Sequence, residues 1–503
     1  MIRAYSVHDV RAAEDAVRQR LSDGALMARA AEGLAQVAEI RLGDGVRVVV
    51  LAGAGDNGGD ALYAAAYLAG LGHNVALVQT ADKVHAGGSR AAVAAGAIAL
   101  EWREGEIPDP VRDALADADL VIDGILGIGG RPGLPDHLTR LQERIGDGSY
   151  VLAVDLPSGC DPAGLVGSDR LTADETVTFS LLKPVHLLPA TQAACGLLTV
   201  IDIGVTEPDA PTAERLTYQD AGLLWPVPGP DDDKYSRGVL GSIAGGEHYT
   251  GAAVMSVTAA VTAGAGMVRY VGPDAPTALL RQVVPETVFG VGRVQAWAIG
   301  SGMDLSDASA EQLSAAREAL DSDLPLLLDA GGLDLLEAPR DAPTLLTPHA
   351  GELLRLARRL HLTVEGHTGD DGELADDAVR RAPVQVARAV ADHLHVTVLL
   401  KGSVTVVVPP SASGLPIRSQ ADGPNWLATA GSGDVLGGLA GALLAAGLSP
   451  LDAGSLAALV HGVAADRANP GGPVRALDVA HELGRTVAYL LRTAATDDDE
   501  DER

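Results

Sequence analysis

VRVVVLAGAGDNGGDALYAAAYLAGLG, residues 46–72, decides the fold. Within Val46–Gly53 the stretch Val48–Ala52 is an unbroken, valine-rich apolar run ended by glycine, the pattern of a strand buried on both faces. GAGDNGGDA (53–61) turns the chain, and DALYAAAYLAGLG reads as a helix stopped by glycine. NVALVQT (74–80) begins the next strand. Working outward, LVIDGILG (120–127), YVLAVDLP (150–157), TVTFS (176–180) and LLTVIDIG (197–204) repeat the strand pattern, with helical or loop segments between. This alternation predicts an α/β fold, a doubly wound parallel sheet with helices on both faces.

Between about residues 205 and 235 the alternation stops. TEPDAPTAERL and WPVPGPDDDKYSRG are rich in Pro, Asp and Gly and show no period. A second α/β series follows. GVLGSIAGG (238–246), MVRYVG (267–272), AWAIGSG (296–302), PLLLDAGG (325–332) and VTVLLKGSVTVVV (396–408) are its strands. SAEQLSAAREAL (309–320), GDVLGGLAGALLAAG (433–447) and PLDAGSLAALVHGVAADRA (450–468) are among its helices. The expected division is a domain at 1–215, a linker at 216–230, a second domain at 231–495 and a disordered acidic tail at 496–503. Residues 365–382, acidic and glycine-containing, read as a surface loop or insertion.

A chain of 503 residues is too long for one ordinary core. Hydrophobic residues make up 47% and aromatics 3%, so the interiors must be built from Ala, Val and Leu. The net charge of −30 argues against a nucleic-acid partner, which would call for clustered Lys and Arg. A phosphate-bearing small molecule remains open, held by backbone N–H groups at a helix start instead of basic side chains. The N-terminus is charged throughout, and the later apolar runs are too short and glycine-broken to span a bilayer. Two cysteines, Cys160 and Cys195, make no disulfide framework, which points to a reducing, cytoplasmic location. Only four lysines occur, Lys83, Lys183, Lys234 and Lys401, against a background of arginine. A lysine kept in such a chain suits a role needing a compact point charge.

Three loops of the first series leave the carboxyl ends of strands, the edge that lines the ligand crevice of open parallel sheets. GAGDNGGDA carries Asp56, Asn57, Gly58, Gly59 and Asp60; VIDGILGIGGRPGLP (121–135) carries Asp123; AVDLPSG (153–159) carries Asp155 and Ser158. One aspartate alone would be a helix cap; three loops at one edge favour a site. These segments, with TVTF…K and DIG, resemble the NAD(P)H-hydrate epimerase family over roughly residues 1–210. The resemblance implies a Rossmann-like fold that interconverts the R and S epimers of hydrated NADH and NADPH with a bound potassium ion (K+). It implies Asn57, Asp123 and Ser158 as K+ ligands, oxygen donors suited to a hard cation. It places the dinucleotide against Asp56–Asp60, against Gly127, Ile128, Gly129, Gly130, Arg131, Pro132 and Gly133, and against Asp155. Asp123, a buried carboxylate at a strand end, is the expected catalytic proton-transfer group. Lys183 either steadies negative charge nearby or is a solvated loop lysine. Two departures stand out, Asp56 and Ala61, where the family usually reads Asn and Gly.

NWLATAGSGDVLGGLAGALLAAG (425–447) is the most specific signal of the second series. A Gly-Ser-Gly turn opens a helix with Asp434 in its first turn, so N–H groups form an anion hole beside a candidate base. LLKGSVTVVV, LTPHAGELLRL and KYSRGVLGSIAGGEHYTGAAVMSVTAAVTAGAG accompany it, and together they resemble the NAD(P)H-hydrate dehydratase family over nearly all of 230–492. The resemblance implies a ribokinase-like α/β domain, with Ala252, Gly302, His349 and Asp434 at the hydrated dinucleotide. It implies Lys401, Gly402, Ser403, Val404, Thr405 and Gly433 at the adenine nucleotide, with Mg2+. ADP is the default nucleotide and ATP the alternative, and assembly into a homo-oligomer is implied. Asp434 is the expected catalytic base. The rival readings are a ribokinase-like small-molecule kinase with a dinucleotide-binding N-terminal domain, and a non-catalytic dinucleotide sensor.

Overall fold

The computed structural model describes the backbone of residues 1–501 and the side chains through residue 495. Two compact units emerge, Arg3–Ala213 and a second running from Glu214 onward, which also takes Met1 and Ile2.

The first unit holds a seven-stranded, wholly parallel sheet. Its order is Ile98–Glu101, Asn74–Gln79, Arg47–Ala52, Leu120–Gly124, Tyr150–Val154, Glu175–Phe179 and Leu197–Ile201. The chain winds one way from Arg47–Ala52 and the other way from Leu120–Gly124, so the switch point lies between those two strands. Register aligns Leu51 with Asp123 and Asp123 with Ala153, which brings the loops after Ala52, Gly124 and Val154 to one edge. Gly53 is obligatory there. Its N–H donates to the Gly124 carbonyl at 3.0 Å, and a β-carbon on it would collide with the Ile125 carbonyl. Gly55, two residues on, has open space around it. Valines and leucines of the sheet pack against the helices Ala25–Leu42 and Asp56–Gly70 to form the main core.

The second unit carries a mixed sheet. Ile417–Gln420, Thr405–Val408 and Thr397–Leu400 pair antiparallel; from Thr397–Leu400 onward the sheet is parallel through Thr344–Leu346, Leu326–Leu328, Ala296–Ile299, Val239–Ile243, Met267–Val271 and Val288–Phe289. Its core is mainly Ala, Val and Leu. The helix Ser432–Ala445 lies close against Thr250–Thr262, a closeness that Gly438 permits, since a β-carbon there would strike the Ser256 carbonyl. Among the described residues no helix is long and apolar enough to cross a membrane.

Two expectations need correction. The stretch 216–230, read as linker, contains the helix Tyr218–Leu224, with Ala221 and Gly222 buried. Thr217 and Asp220 cap it reciprocally, and that single T-x-x-D signal was outweighed by the Pro and Asp around it. The acidic tail is helical as far as Asp501, as the end of the helix Ala476–Asp501. A helix already packed over its first turns extends at one hydrogen bond per residue fixed, which composition does not reveal. Glu502 and Arg503 lie outside the described residues.

Candidate active sites

In the first unit, Asp56, Asn57 and Gly58 form the first turn of the helix Asp56–Gly70, where backbone N–H groups lack intrahelical acceptors. Asn57 Nδ2 donates to the Val154 carbonyl at 2.5 Å, and its Oδ1 packs against Gly127 without a hydrogen-bond donor among the described residues. Asp123 is wholly buried. It accepts from the Ser158 hydroxyl at 2.5 Å, the Ser158 N–H at 2.7 Å and the Ile125 N–H at 3.3 Å. Burial raises its pKa, the hydrogen bonds from Ser158 and Ile125 counter this, and no cation stands beside it. A buried carboxylate without a countercharge, a hydroxyl and an amide oxygen are the donor types that suit a hard monovalent cation.

Asp155 sits beyond the next strand with φ at +67°, a left-handed conformation uncommon for a side-chain-bearing residue. The fold pins it there. Lys183 Nζ pairs with its carboxylate, and the Thr178 hydroxyl donates to the same oxygen at 2.9 Å. His186 Nε2 donates to its carbonyl at 2.8 Å, while the Lys183 N–H donates to His186 Nδ1 at 3.1 Å. Both ring nitrogens are thereby committed to the neutral form, and burial, reinforced by Lys183, holds the His186 pKa down at about 4. Lys183 is 1% exposed, so it is a buried partner of Asp155 and no solvated lysine.

Two cavities, of about 320 and about 500 Å3, open over these loops. They gather Asp56, Asn57, Asp60, Gly127, Ile128, Gly129, Gly130 and Asp155. Gly58 and Gly59 back the site from inside the helix. Arg131, Pro132 and Gly133 line neither cavity; the Gly133 N–H is spent on the Gly159 carbonyl. Asp123 also lines neither; its oxygens accept from Ser158 and Ile125. Glu14, Asp56, Asp60 and Asp155 are among the carboxyls that line them. Burial, then Asp155 and Asp56, lift the Asp60 pKa well above the usual range, and burial lifts Glu14. Arg11 and Arg18, from the helix Val7–Arg18, line the crevice too, which corrects the expectation of main-chain amides alone. Arg18 reaches the Asp56 carboxylate at 3.5 Å and partly offsets the charge that departure introduces.

In the second unit, Gly431 takes a φ of +89° and launches the helix Ser432–Ala445, placing Asp434 in its first turn. Beside it stands a network absent from the sequence reading. Asp329, 2% exposed, accepts from Lys401 Nζ at 2.8 Å, the Thr347 hydroxyl at 3.0 Å and the Ser301 hydroxyl at 3.2 Å. Burial and the neighbouring Asp329 push the Asp434 pKa up to about 7; Lys401 and Ser301 oppose them. Burial disfavours the Lys401 charge, but Asp329 more than compensates and keeps the amine protonated.

A cavity of about 400 Å3 adjoins this network and is lined by Lys401, Gly402, Ser403, Thr405, Gly433 and His349 among others. Val404 is not among its lining residues. His349, expected with the dinucleotide, lines the same cavity and forms a β-bridge with Lys401. Its Nδ1 caps the helix Ala350–Arg359, accepting from the N–H groups of Gly351 at 3.1 Å and Glu352 at 3.2 Å. Ala252 and Gly302 pack against each other, Gly302 next along the chain from Ser301. The residues missed by sequence reasoning are Glu14, Arg18 and His186 in the first unit and Asp329, Ser301 and Thr347 in the second.

A carboxylate poised near neutrality beside a nucleotide-sized cavity, and a second crevice over a buried oxygen cluster, define a two-site α/β enzyme of small phosphorylated molecules. Residues 240–485 match the family described as NAD(P)H-hydrate dehydratase, and residues 23–185 match that described as YjeF-related protein N-terminus. The chain belongs to the family of bifunctional NAD(P)H-hydrate repair enzymes. The member from Mycobacterium leprae is 42% identical over 511 residues, 97% of this chain and 98% of its own. That from Mycobacterium tuberculosis is 42% identical over 464 residues, 88% of this chain and 89% of its own. The crystal structure of the Bacillus subtilis ADP/ATP-dependent NAD(P)H-hydrate dehydratase, grown with ATP and Mg2+, aligns at 23% identity and a TM-score of 0.47. It covers 55% of this chain and 98% of that one.

Proposed function

We propose that the first unit interconverts the R and S forms of hydrated NADH and NADPH, and that the second dehydrates the S form at the expense of ADP or ATP. The single observation that carries the second half is Asp434, with a pKa of about 7 at a helix start beside Lys401 and a cavity of about 400 Å3. A base works best when its pKa lies near the working pH. Asp434 takes the proton of the substrate's ring hydroxyl as that oxygen bonds the terminal phosphorus and the shortened nucleotide leaves. Phosphate then departs with the carbon–oxygen bond pair, and the adjacent ring carbon loses a proton to restore the double bond. Lys401 and the first-turn N–H groups at Gly433 hold the nucleotide phosphates. Among the described residues no trio of His, Cys, Asp or Glu is placed to hold a metal, so Mg2+ belongs with the nucleotide, where it offsets phosphate charge.

In the first unit Asn57, Asp123 and Ser158 hold K+, which when bound supplies the positive charge missing beside Asp123. Asp60 and Asp155 open onto the crevice and handle protons at the ring hydroxyl, with Lys183 keeping Asp155 in place. Arg11, Arg18 and the first-turn N–H groups of the helix Asp56–Gly70 receive the diphosphate. Epimerisation on the same chain returns the R form to a dehydratase that takes only S. A homo-oligomer, checked by light scattering, and a cytoplasmic location, in keeping with two buried free thiols, complete the reading.

The test is to incubate (S)-hydrated NADH with the full chain and ADP or ATP, for the parent and Asp434→Asn. The expected outcome is return of reduced nicotinamide with one phosphate released per molecule, abolished in the variant. A persistent phosphorylated product would instead identify a small-molecule kinase. Epimer exchange is followed in Asp434→Asn, where dehydration cannot mask it; exchange indifferent to replacing K+ by Li+ would remove the ion from the first site.

A further inference from the structure

One residue lining the C-terminal cavity has no part in the chemistry above. His461, on the helix Pro450–Ala468, is 6% exposed, and its Nε2 is buried with no hydrogen-bond partner among the described residues. Native folds seldom leave such a group unsatisfied without a reason. Burial, with Lys401 nearby, lowers its pKa to about 4, so the ring is neutral at physiological pH. A neutral imidazole nitrogen donates or accepts according to its tautomer.

The surroundings suit a flat heterocycle. Gly462, next along the helix, meets Gly423 backbone to backbone, and a β-carbon on it would press on the Gly423 nitrogen. The two glycines therefore leave a smooth wall. Leu427, Leu436 and Ala458 add apolar surface to the same cavity. Gln420, a neutral polar side chain of the same cavity, is already used. Its Oε1 accepts from the Leu216 N–H at 2.9 Å, and its Nε2 donates to Asp422 at 3.2 Å. Asn425, Ser403, Thr405 and Ser432 line the cavity too, but among its described lining residues His461 alone has a buried side-chain heteroatom without a partner.

We propose that His461 is the base-reading residue of the nucleotide site, its unpartnered ring nitrogen hydrogen-bonding the edge of an adenine seated between the Gly423–Gly462 wall and Leu427. This rests on the reading that the cavity takes an adenine nucleotide. It adds a reason for adenine over other bases, because a site built around a buried polar atom rejects ligands that leave it unpaired.

The test uses the full chain with His461→Leu and His461→Gln, measuring ADP and inosine diphosphate affinity by calorimetry and the KM for (S)-hydrated NADH at saturating nucleotide. Loss of one neutral hydrogen bond weakens ADP binding in His461→Leu about tenfold. The preference for ADP over inosine diphosphate narrows, and the hydrate KM stays within about twofold. His461→Gln, which can still pair, retains most of the affinity and carries the test should the leucine variant not fold. The nucleotide-free leucine variant melts no lower than the parent, since it loses an unsatisfied buried polar atom; a histidine of purely structural purpose would melt lower and leave the base preference intact. ADP affinity unchanged in a folded His461→Leu overturns the proposal alone. A parent chain that binds neither ADP nor ATP overturns the nucleotide reading and this proposal with it.

Discussion

Asp329→Asn is the substitution that bears most directly on how the dehydratase base is tuned. Asp329 lies next to Asp434 with the Ser301 hydroxyl at 3.2 Å, and its negative charge is the second cause, after burial, of the raised Asp434 pKa. Asparagine keeps the shape and can still meet Ser301 and Thr347, but the charge is gone. Two like charges about 5 Å apart in a medium of effective dielectric about 20 repel by about 3 kcal/mol. That corresponds to about two pKa units if fully felt; water near the partly accessible Asp434 reduces it, so a shift of about one unit is expected. The sign is fixed. Asp434 must be ionised to act, so the parent's kcat/KM is low in acid and rises through about pH 7. Removing Asp329's charge lets Asp434 ionise more readily and slides that rise to lower pH. Lys401, freed from Asp329, moves it the same way. The assay is the recovery of reduced nicotinamide from (S)-hydrated NADH at saturating nucleotide, from pH 5 to 9, with each nucleotide's phosphate release measured in parallel. If Asp329→Asn lowers the rate at every pH and leaves the acid limb in place, Asp434 is not the group that titrates and the proposed base is wrong.

Three further outcomes follow from the same geometry. Asp434→Asn should stabilise the fold at pH 8, on the order of 2 kcal/mol, and have little effect at pH 4. Asp434 titrates near 4 when unfolded and at about 7 when folded, so its charge costs stability increasingly as pH rises across that window; calorimetry at the two pH values checks it. Lys183→Met leaves Asp155 buried without its partner, and the first unit should lose about 3–5 kcal/mol with all epimerase activity. Nucleotide-dependent dehydration of the S form should survive, and dehydration by the variant failing together with epimerisation would show that the two units do not fail separately. Gly53→Ala should abolish epimer exchange through the clash with Ile125, whereas Gly55→Ala, with space around it, should leave exchange within a few-fold of the parent.

Strand placement was legible because the sheets are buried on both faces: the run Val48–Ala52 needs no alternation to be recognised, and the Gly-rich turns mark where each strand ends. The three first-unit loops were legible for the same reason, since parallel register carries Asp123 and Ser158 to one edge. What the sequence hid was every partner supplied from afar. Glu14 and Arg18 arrive from a helix about forty residues upstream of Asn57, and nothing local to VHDVRAAEDAVR marks them as crevice residues. Asp329 follows the strand Leu326–Leu328 like any strand-terminal aspartate; only the fold brings it to Lys401, 72 positions on. Asp123 is recognisable as a strand-end carboxylate, but only the fold shows its oxygens turned to Ser158 and Ile125. The helix Tyr218–Leu224 was passed over because composition spoke louder than its cap.

The scarcity of lysine has a practical side. Lys183 is sealed against Asp155, and Lys401 is one-fifth exposed at the mouth of a cavity, which leaves Lys83 and Lys234 as the exposed side-chain amines. An amine-directed reagent would therefore mark this chain at few places, and modification at Lys401 should be slowed by bound ADP. Mass spectrometry of that one peptide becomes a gauge of nucleotide occupancy that needs neither the hydrate nor a coupled reaction.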